Sequence, residues 1–152
     1  MLKRGYTLIE IAIVIVIMMF ILGIILSAFI TVGPNKALDG DTQTVKATLE
    51  EARELTLSAK GDTQYGVHLE TNHVMLFKGA VYSPSDPTNE VVGLNNKVNI
   101  SAITLQGGGS EVIFDRLTGA TQEPGTTTLS LIASPTTKHD IIISPTGTVD
   151  TQ

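Results

Sequence analysis

Between Ile11 and Ile30 only Gly23 and Ser27 interrupt an otherwise hydrophobic run. About 20 residues at roughly 1.5 Å rise each cover about 30 Å, the thickness of a bilayer hydrocarbon core. A single segment crosses lipid only as a helix, because no other conformation satisfies its own backbone groups there. The run therefore predicts a membrane-spanning helix, Ile- and Val-rich though it is. An ordinary secretory signal has a shorter apolar stretch, about 7–15 residues, and then a small-residue cleavage site. Here Thr31-Val32-Gly33-Pro34 follows, which is not such a site.

The flanks orient the helix. Met1-Leu2-Lys3-Arg4-Gly5 is a short basic leader, and Lys3 with Arg4 holds the amino terminus in the cytoplasm, leaving the downstream chain outside. Tyr6-Thr7-Leu8-Ile9-Glu10 joins leader to apolar run. Glu10 is the unusual residue there. A charged group at the centre of a spanning helix costs about 2.5–3.5 kcal/mol and less near an interface. Either Glu10 simply faces headgroups, or it has a functional partner.

Composition excludes several other classes. The chain has no cysteine, so a disulfide framework, a cysteine-ligated metal and a thiol nucleophile are all excluded. Ten Lys+Arg against 15 Asp+Glu give a net charge of -5, which opposes phosphate-driven nucleic-acid binding. At 152 residues the chain has room for one ordinary domain beyond the apolar segment.

Gly33-Pro34 is expected to break or bend the helix, since proline lacks the amide donor and restrains its predecessor. A second helical stretch is expected from about Asp41 to Lys60. Val45, Leu49, Ala52 and either Leu55 or Thr56 form its apolar face, and Gly61 its stop. After Gly61 the period changes to two. Candidate strands are Tyr65–Leu69, His73–Lys78, Val98–Leu105, Glu111–Phe114, Thr127–Ile132, Asp140–Ser144 and Thr148–Val149. Glu70-Thr71-Asn72, Gly107-Gly108-Gly109 and Pro145-Thr146-Gly147 read as turns, and residues 83–89 as a loop with two prolines. The layout is α+β: a long amino-terminal helix, then an antiparallel sheet.

Gly5-Tyr6-Thr7-Leu8-Ile9-Glu10 followed by the apolar run resembles the signal of type IV pilins and type II secretion pseudopilins. The match covers residues 1–30. Two departures are Tyr6, where Phe or Met is commoner, and Ser27, near the position where many pilins carry a mid-helix proline. The resemblance implies cleavage by a prepilin peptidase between Gly5 and Tyr6 and methylation of the new Tyr6 amine. It also implies that Glu10 pairs with the terminal amine of a neighbouring subunit as helices bundle into a filament. The carboxy-terminal half is similar to the minor pseudopilins of the GspH/FimT type. Glu111 to Gly119, Leu129-Ser130-Leu131 and Ile141-Ile142-Ile143-Ser144-Pro145-Thr146-Gly147-Thr148-Val149 carry that likeness. The resemblance thus implies a type IV pilin-like fold: leader 1–5, transmembrane and assembly helix 6–32, amphipathic stalk helix 33–60 and β-rich head 61–152. Its partners would be the peptidase, other pilin-like subunits, an inner-membrane assembly platform and the bilayer. The setting is a bacterial inner membrane with cytoplasmic amino terminus, and later a filament. A major pilin forming the fibre body is the alternative within the class. A membrane-anchored module binding DNA or surfaces is the alternative outside it, disfavoured because Lys138 is the sole Lys or Arg of the last thirty residues.

No residue pattern calls for a cofactor or an enzyme site. His68 and His73 flank the first predicted hairpin, but zinc takes three or four ligands and only Glu70 is local, so they and His139 read as surface or packed histidines. Asp86, Asn89 and Glu90 read as a solvated loop rather than a calcium site. Gly107 to Gly109 lacks the helix and lysine of a phosphate loop. Asn99-Ile100-Ser101, a glycosylation pattern, falls within a predicted strand.

Overall fold

The computed structural model describes residues 7–58 and 60–152. The fold is α+β. Helix α1 spans Leu8–Leu57, and eight strands follow: β1 Tyr65–Leu69, β2 His73–Lys78, β3 Glu90–Gly93, β4 Val98–Leu105, β5 Glu111–Ile113, β6 Gly125–Leu131, β7 Ser134–Ile143 and β8 Val149–Thr151. The chain divides into two compact units, Met1–Asn35 and Lys36–Gln152.

In the first unit every described residue from Thr7 to Leu26 is exposed. Leu8–Leu26 is long and apolar enough to cross a membrane. The expected break at Gly33-Pro34 is absent, for α1 runs through Pro34. A proline inside a helix forfeits one hydrogen bond and adds a ring clash, about 3 kcal/mol. Regular helix on both sides, with Leu38 buried only four residues later, outweighs that local cost.

In the second unit α1 buries Leu38, Thr42, Val45, Thr48, Leu49, Ala52 and Thr56. All but Thr48 follow an alternating spacing of four and three, which keeps them on one stripe. Three threonines are buried on α1 because their hydroxyls are spent within the helix. Thr42 donates to the Leu38 carbonyl at 2.7 Å, Thr48 to Thr44 at 2.9 Å and Thr56 to Ala52 at 2.8 Å. The Thr56 hydroxyl also accepts from the Tyr65 amide at 2.9 Å, tying helix to β1. The helix ends at Leu57 rather than at residue 60. A separate 3-10 turn, Lys60–Asp62, then reverses the chain with Gly61 at φ 69°.

The strands make two four-stranded antiparallel sheets, not the single sheet expected. Their orders are β3-β2-β1-β5 and β4-β6-β7-β8. One continuous core joins the helix stripe to the inner faces of both, through residues such as Val67, Val74, Phe114, Leu129 and Ile141. Tyr82 covers part of the outer face of the first sheet. Its ring meets Phe77 edge-on at 5.5 Å and its hydroxyl donates to the Met75 sulfur at 3.1 Å. Both faces of β2 are therefore covered, which explains its unbroken apolar run Val74-Met75-Leu76-Phe77.

Five strand assignments are corrected, two of them at the ends: β5 stops at Ile113 rather than Phe114, and β8 is Val149–Thr151 rather than Thr148–Val149. β3 was not expected: it is four residues long and pairs only with β2. β7 begins at Ser134, six residues before the expected Asp140: Ser134 pairs with Leu131, and after an irregularity the pairing resumes at Lys138, opposite Ser130. β6 begins at Gly125 and ends at Leu131, leaving Ile132 in the turn.

Candidate functional site

The amino-terminal end of α1 is built by its own first turn. The Glu10 amide lies 3.3 Å from the Thr7 hydroxyl, and the Thr7 amide donates back to the Glu10 carboxylate at 3.4 Å. This reciprocal arrangement is a capping box, in which a Thr and a Glu three residues on satisfy amides that a helix start leaves unpaired. The pattern Thr7-Leu8-Ile9-Glu10 before an apolar run is its sequence signature. Both contacts are long and exposed, so the carboxylate keeps capacity for a further partner. Its charge also complements the positive end of the helix dipole. Gly5 and Tyr6 lie outside the described residues.

In the head, the polar residues singled out from sequence fall into four places. The residue 83–89 loop is closed on itself. Asp86 accepts from the Thr88 hydroxyl at 2.7 Å and from its amide at 2.8 Å, and the Asn89 side-chain amide donates to the Ser83 carbonyl at 2.8 Å. Glu90 stands exposed in β3. The Thr88 hydroxyl, then the Thr88 amide, hold the Asp86 carboxyl below the usual aspartate range, with Lys78 adding to the effect. Bonds to the ionised form favour it, so this contribution to stability is present above the unfolded aspartate value and is lost as pH falls through the lowered one. In Thr88→Ala the Asp86 carboxyl is expected to titrate closer to an ordinary aspartate, as followed by carboxyl-carbon NMR. An unchanged midpoint would remove the hydroxyl as the cause.

His139 lies apart from the other histidines. Its Nε2 is 2.9 Å from Asp39 Oδ1, linking β7 to α1. The Asp41 carboxylate makes a second such link by accepting from the Asn95 amide at 2.8 Å.

His68 and His73 do approach a common group across the first hairpin. Residues 68, 70, 73 and 75 share one face of the β1–β2 pair, since His68 is opposite Met75 and the Glu70 amide bonds the His73 carbonyl. Glu70 Oε1 is 3.3 Å from His68 Nε2, and Glu70 Oε2 is 3.4 Å from His73 Nε2. Glu111, opposite His68 on β5, brings a second carboxylate to 3.4 Å from His68 Nδ1. Tyr82 stacks flat on the His68 ring, centroids 4.0 Å apart. Burial, then the charges of Glu70 and Glu111, raise the Tyr82 phenol above its usual value. Sequence distance concealed Glu111, about forty residues from the hairpin it joins.

Asn99 and Ser101 are both in β4. Asn99 Oδ1 accepts from the Ser130 hydroxyl at 3.1 Å, as befits a strand position rather than a glycosylated loop. Gly107 and Gly108 form an open turn with positive φ. Compared with protein-family models, with curated proteins and with solved structures, the chain matches none.

Proposed function

We propose that the chain is a pilin-like structural subunit, a minor pseudopilin of a type IV pilus or type II secretion pseudopilus. It acts by assembly, not by catalysis. The observation that carries this reading is the conjunction at the amino terminus: the hexamer Gly5 to Glu10 stands directly before the exposed apolar stretch Leu8–Leu26. Beyond capping the helix start with Thr7, a carboxylate five residues after a glycine at the membrane boundary is the charge that the resembled signal places there. The head supports the reading by having its own core, including half of α1, so that it folds without help from the apolar stretch.

In this reading the leader stays in the cytoplasm and a prepilin peptidase cuts after Gly5. The Tyr6 amine is methylated, and the apolar helix remains in the inner membrane until an assembly platform moves it into a filament. There the same exposed side chains pack against those of neighbouring subunits. The charges of Glu10 and a neighbour's amine relieve each other's desolvation as lipid is replaced by protein.

The test is the mature amino terminus. Expressed with a prepilin peptidase, the protein is expected by mass spectrometry to begin at Tyr6 and to carry a methyl group. A start beyond Val32 would mean removal of the whole apolar segment by an ordinary signal peptidase, and the pilin reading would fall.

A further inference from the structure

We propose that the β6–β7 turn, with Ile132 at its tip and Lys36, Lys97 and Lys138 around it, is a contact surface for anionic lipid headgroups at the end of the head where the chain enters from the apolar helix. The inference rests on the membrane reading of that helix. Contacts within the head fix which end this is. His139 of β7 meets Asp39 of α1, and the Asn95 amide meets Asp41. Farther along α1, Arg53 donates to the Gly119 carbonyl, and Gly147 stands beside both. β7 and the turn after it therefore run alongside α1 in the same direction, from the level of Asp39 to that of Arg53. The other end of β7, Ser134, and the turn before it lie beyond His139, at the Lys36 end of the second unit. The Ile132 amide donates to the Lys97 carbonyl at 2.9 Å, which sets this turn against residues 95–97.

The residues of this end depart from those of a water-facing turn. Such turns favour Gly, Pro, Asn, Asp or Ser, whereas the two turn residues here are Ile132 and Ala133, both exposed, Ile132 at 57%. One exposed isoleucine is ordinary; its surroundings are not. Lys36, Lys97 and Lys138 are all exposed, and none makes an ion pair among the described residues. Elsewhere in the head Lys46 pairs with Glu50, Arg53 with the Gly119 carbonyl and Arg116 with Asp62. The acidic groups of this end are held by the head itself: Asp39 by His139, Asp41 by the Asn95 amide and Asp140 by the Thr128 hydroxyl. What faces outward is an apolar tip among cations, in a chain whose net charge is -5. The partner that fits it is an anionic bilayer. Lysines are attracted to a negatively charged membrane surface, and an apolar side chain enters the boundary between headgroups and acyl chains. The apolar run ends at Ile30 and Lys36 follows six residues later, about 9 Å of helix at 1.5 Å each. That is about one Debye length at physiological ionic strength, so charges at this end of the head feel the membrane surface. Each attraction is small, but the covalent connection to the helix makes the contact intramolecular. The contact holds the head at the bilayer while the helix is in it, and is given up when the helix leaves.

The experiment uses the full chain, which has no cysteine of its own, reconstituted in vesicles of phosphatidylcholine with or without phosphatidylglycerol. A polarity-sensitive fluorophore is attached to Ala133→Cys, or to Thr146→Cys in the exposed turn before β8 as the comparison. With phosphatidylglycerol the label in the β6–β7 turn is expected to shift to the blue and to be shielded from acrylamide, while the other stays quenched. Shielding is expected to be lost in concentrated salt, in Lys97→Gln/Lys138→Gln and in phosphatidylcholine alone. Equal quenching of the two labels with phosphatidylglycerol, or shielding that survives both salt and the lysine substitutions, would overturn the contact. Shielding that appears without phosphatidylglycerol and rises with protein density would assign the tip to a second copy of the chain, and likewise overturn it. Washing the vesicles with alkaline carbonate separates this from a failure of the membrane reading. A chain that stays with the vesicles but leaves the β6–β7 label quenched sinks the tip contact alone, whereas a chain stripped from them sinks both.

Discussion

Gly147→Ala is expected to destabilise the head by about 3 kcal/mol or more, a large fraction of the stability of an ordinary domain. Gly147 has φ 77°, a region where a side chain costs about 1–2 kcal/mol by itself. The greater cost is spatial. A Cβ at this position would stand 1.8 Å from the Gly119 carbonyl oxygen and 3.0 Å from Arg53 Nε. That oxygen cannot easily retreat, because Arg53 on α1 donates to it at 3.0 Å. Gly119 is itself at φ 65° with Leu57 of the helix 3.0 Å from where its own Cβ would be. Backbone therefore presses on backbone between the turn before β8, the turn after β5 and the end of the helix. Gly108→Ala is the comparison: φ is 74° there, but nothing lies within 4 Å, so only the conformational cost is expected. Urea unfolding of a head fragment beginning at Lys36 separates the two, provided both keep the same m-value. Equal costs at Gly147 and Gly108 would show that the close approach does not constrain the fold.

That contact also shows where a sequence reading stops. Gly147 was legible as a turn residue, but that it meets Gly119 is a property of the two-sheet arrangement, which strand periodicity does not encode. The pairing of β1 with β5, for instance, joins residues more than forty apart. β1, β2 and β4 were legible to their ends because β-branched and apolar residues run between strong turn signals. β3 was not, since Glu90 to Gly93 is short and mostly exposed, and it gains its order from β2. On α1 the stripe Val45, Leu49 and Ala52 was legible from spacing. Its continuation through Thr42 was not, because a threonine becomes a core residue only once its hydroxyl is bonded to the preceding turn. The same chemistry resolves the choice between Leu55 and Thr56: Thr56 is buried, since its oxygen serves both the Ala52 carbonyl and the Tyr65 amide. At the candidate sites, the nearness of His68, His73 and Glu70 was legible from the turn between two strands, but their ion pairs were not. The Thr7–Glu10 cap is equally local, written in the spacing of a threonine and a glutamate three residues apart before an apolar run.

The capping box changes how Glu10 must be tested. If the chain is the pilin-like subunit proposed above, Glu10→Ala is expected to abolish incorporation into filaments while leaving membrane insertion and cleavage intact. Removing a carboxylate from the edge of an apolar helix makes insertion easier, by less than the roughly 2.5–3.5 kcal/mol paid at the bilayer centre. In the filament, a neighbour's amine buried without its partner costs about 3–5 kcal/mol, at least a hundredfold in each association step. Yet Glu10→Ala also removes the acceptor of the Thr7 amide, so a loss of assembly could arise from a frayed helix start. An exposed cap is worth about 1 kcal/mol, too little to stop assembly alone, and the two causes can be parted by Glu10→Gln. Glutamine serves at the third helical position of a capping box as glutamate does, so the cap survives while the charge is lost. If the ion pair governs assembly, Glu10→Gln fails as completely as Glu10→Ala, judged by the yield of sheared filaments at equal membrane levels of mature protein. Filaments from Glu10→Gln at the wild-type yield would instead make Glu10 a helix cap, and the pairing with a neighbour's amine would have to be given up.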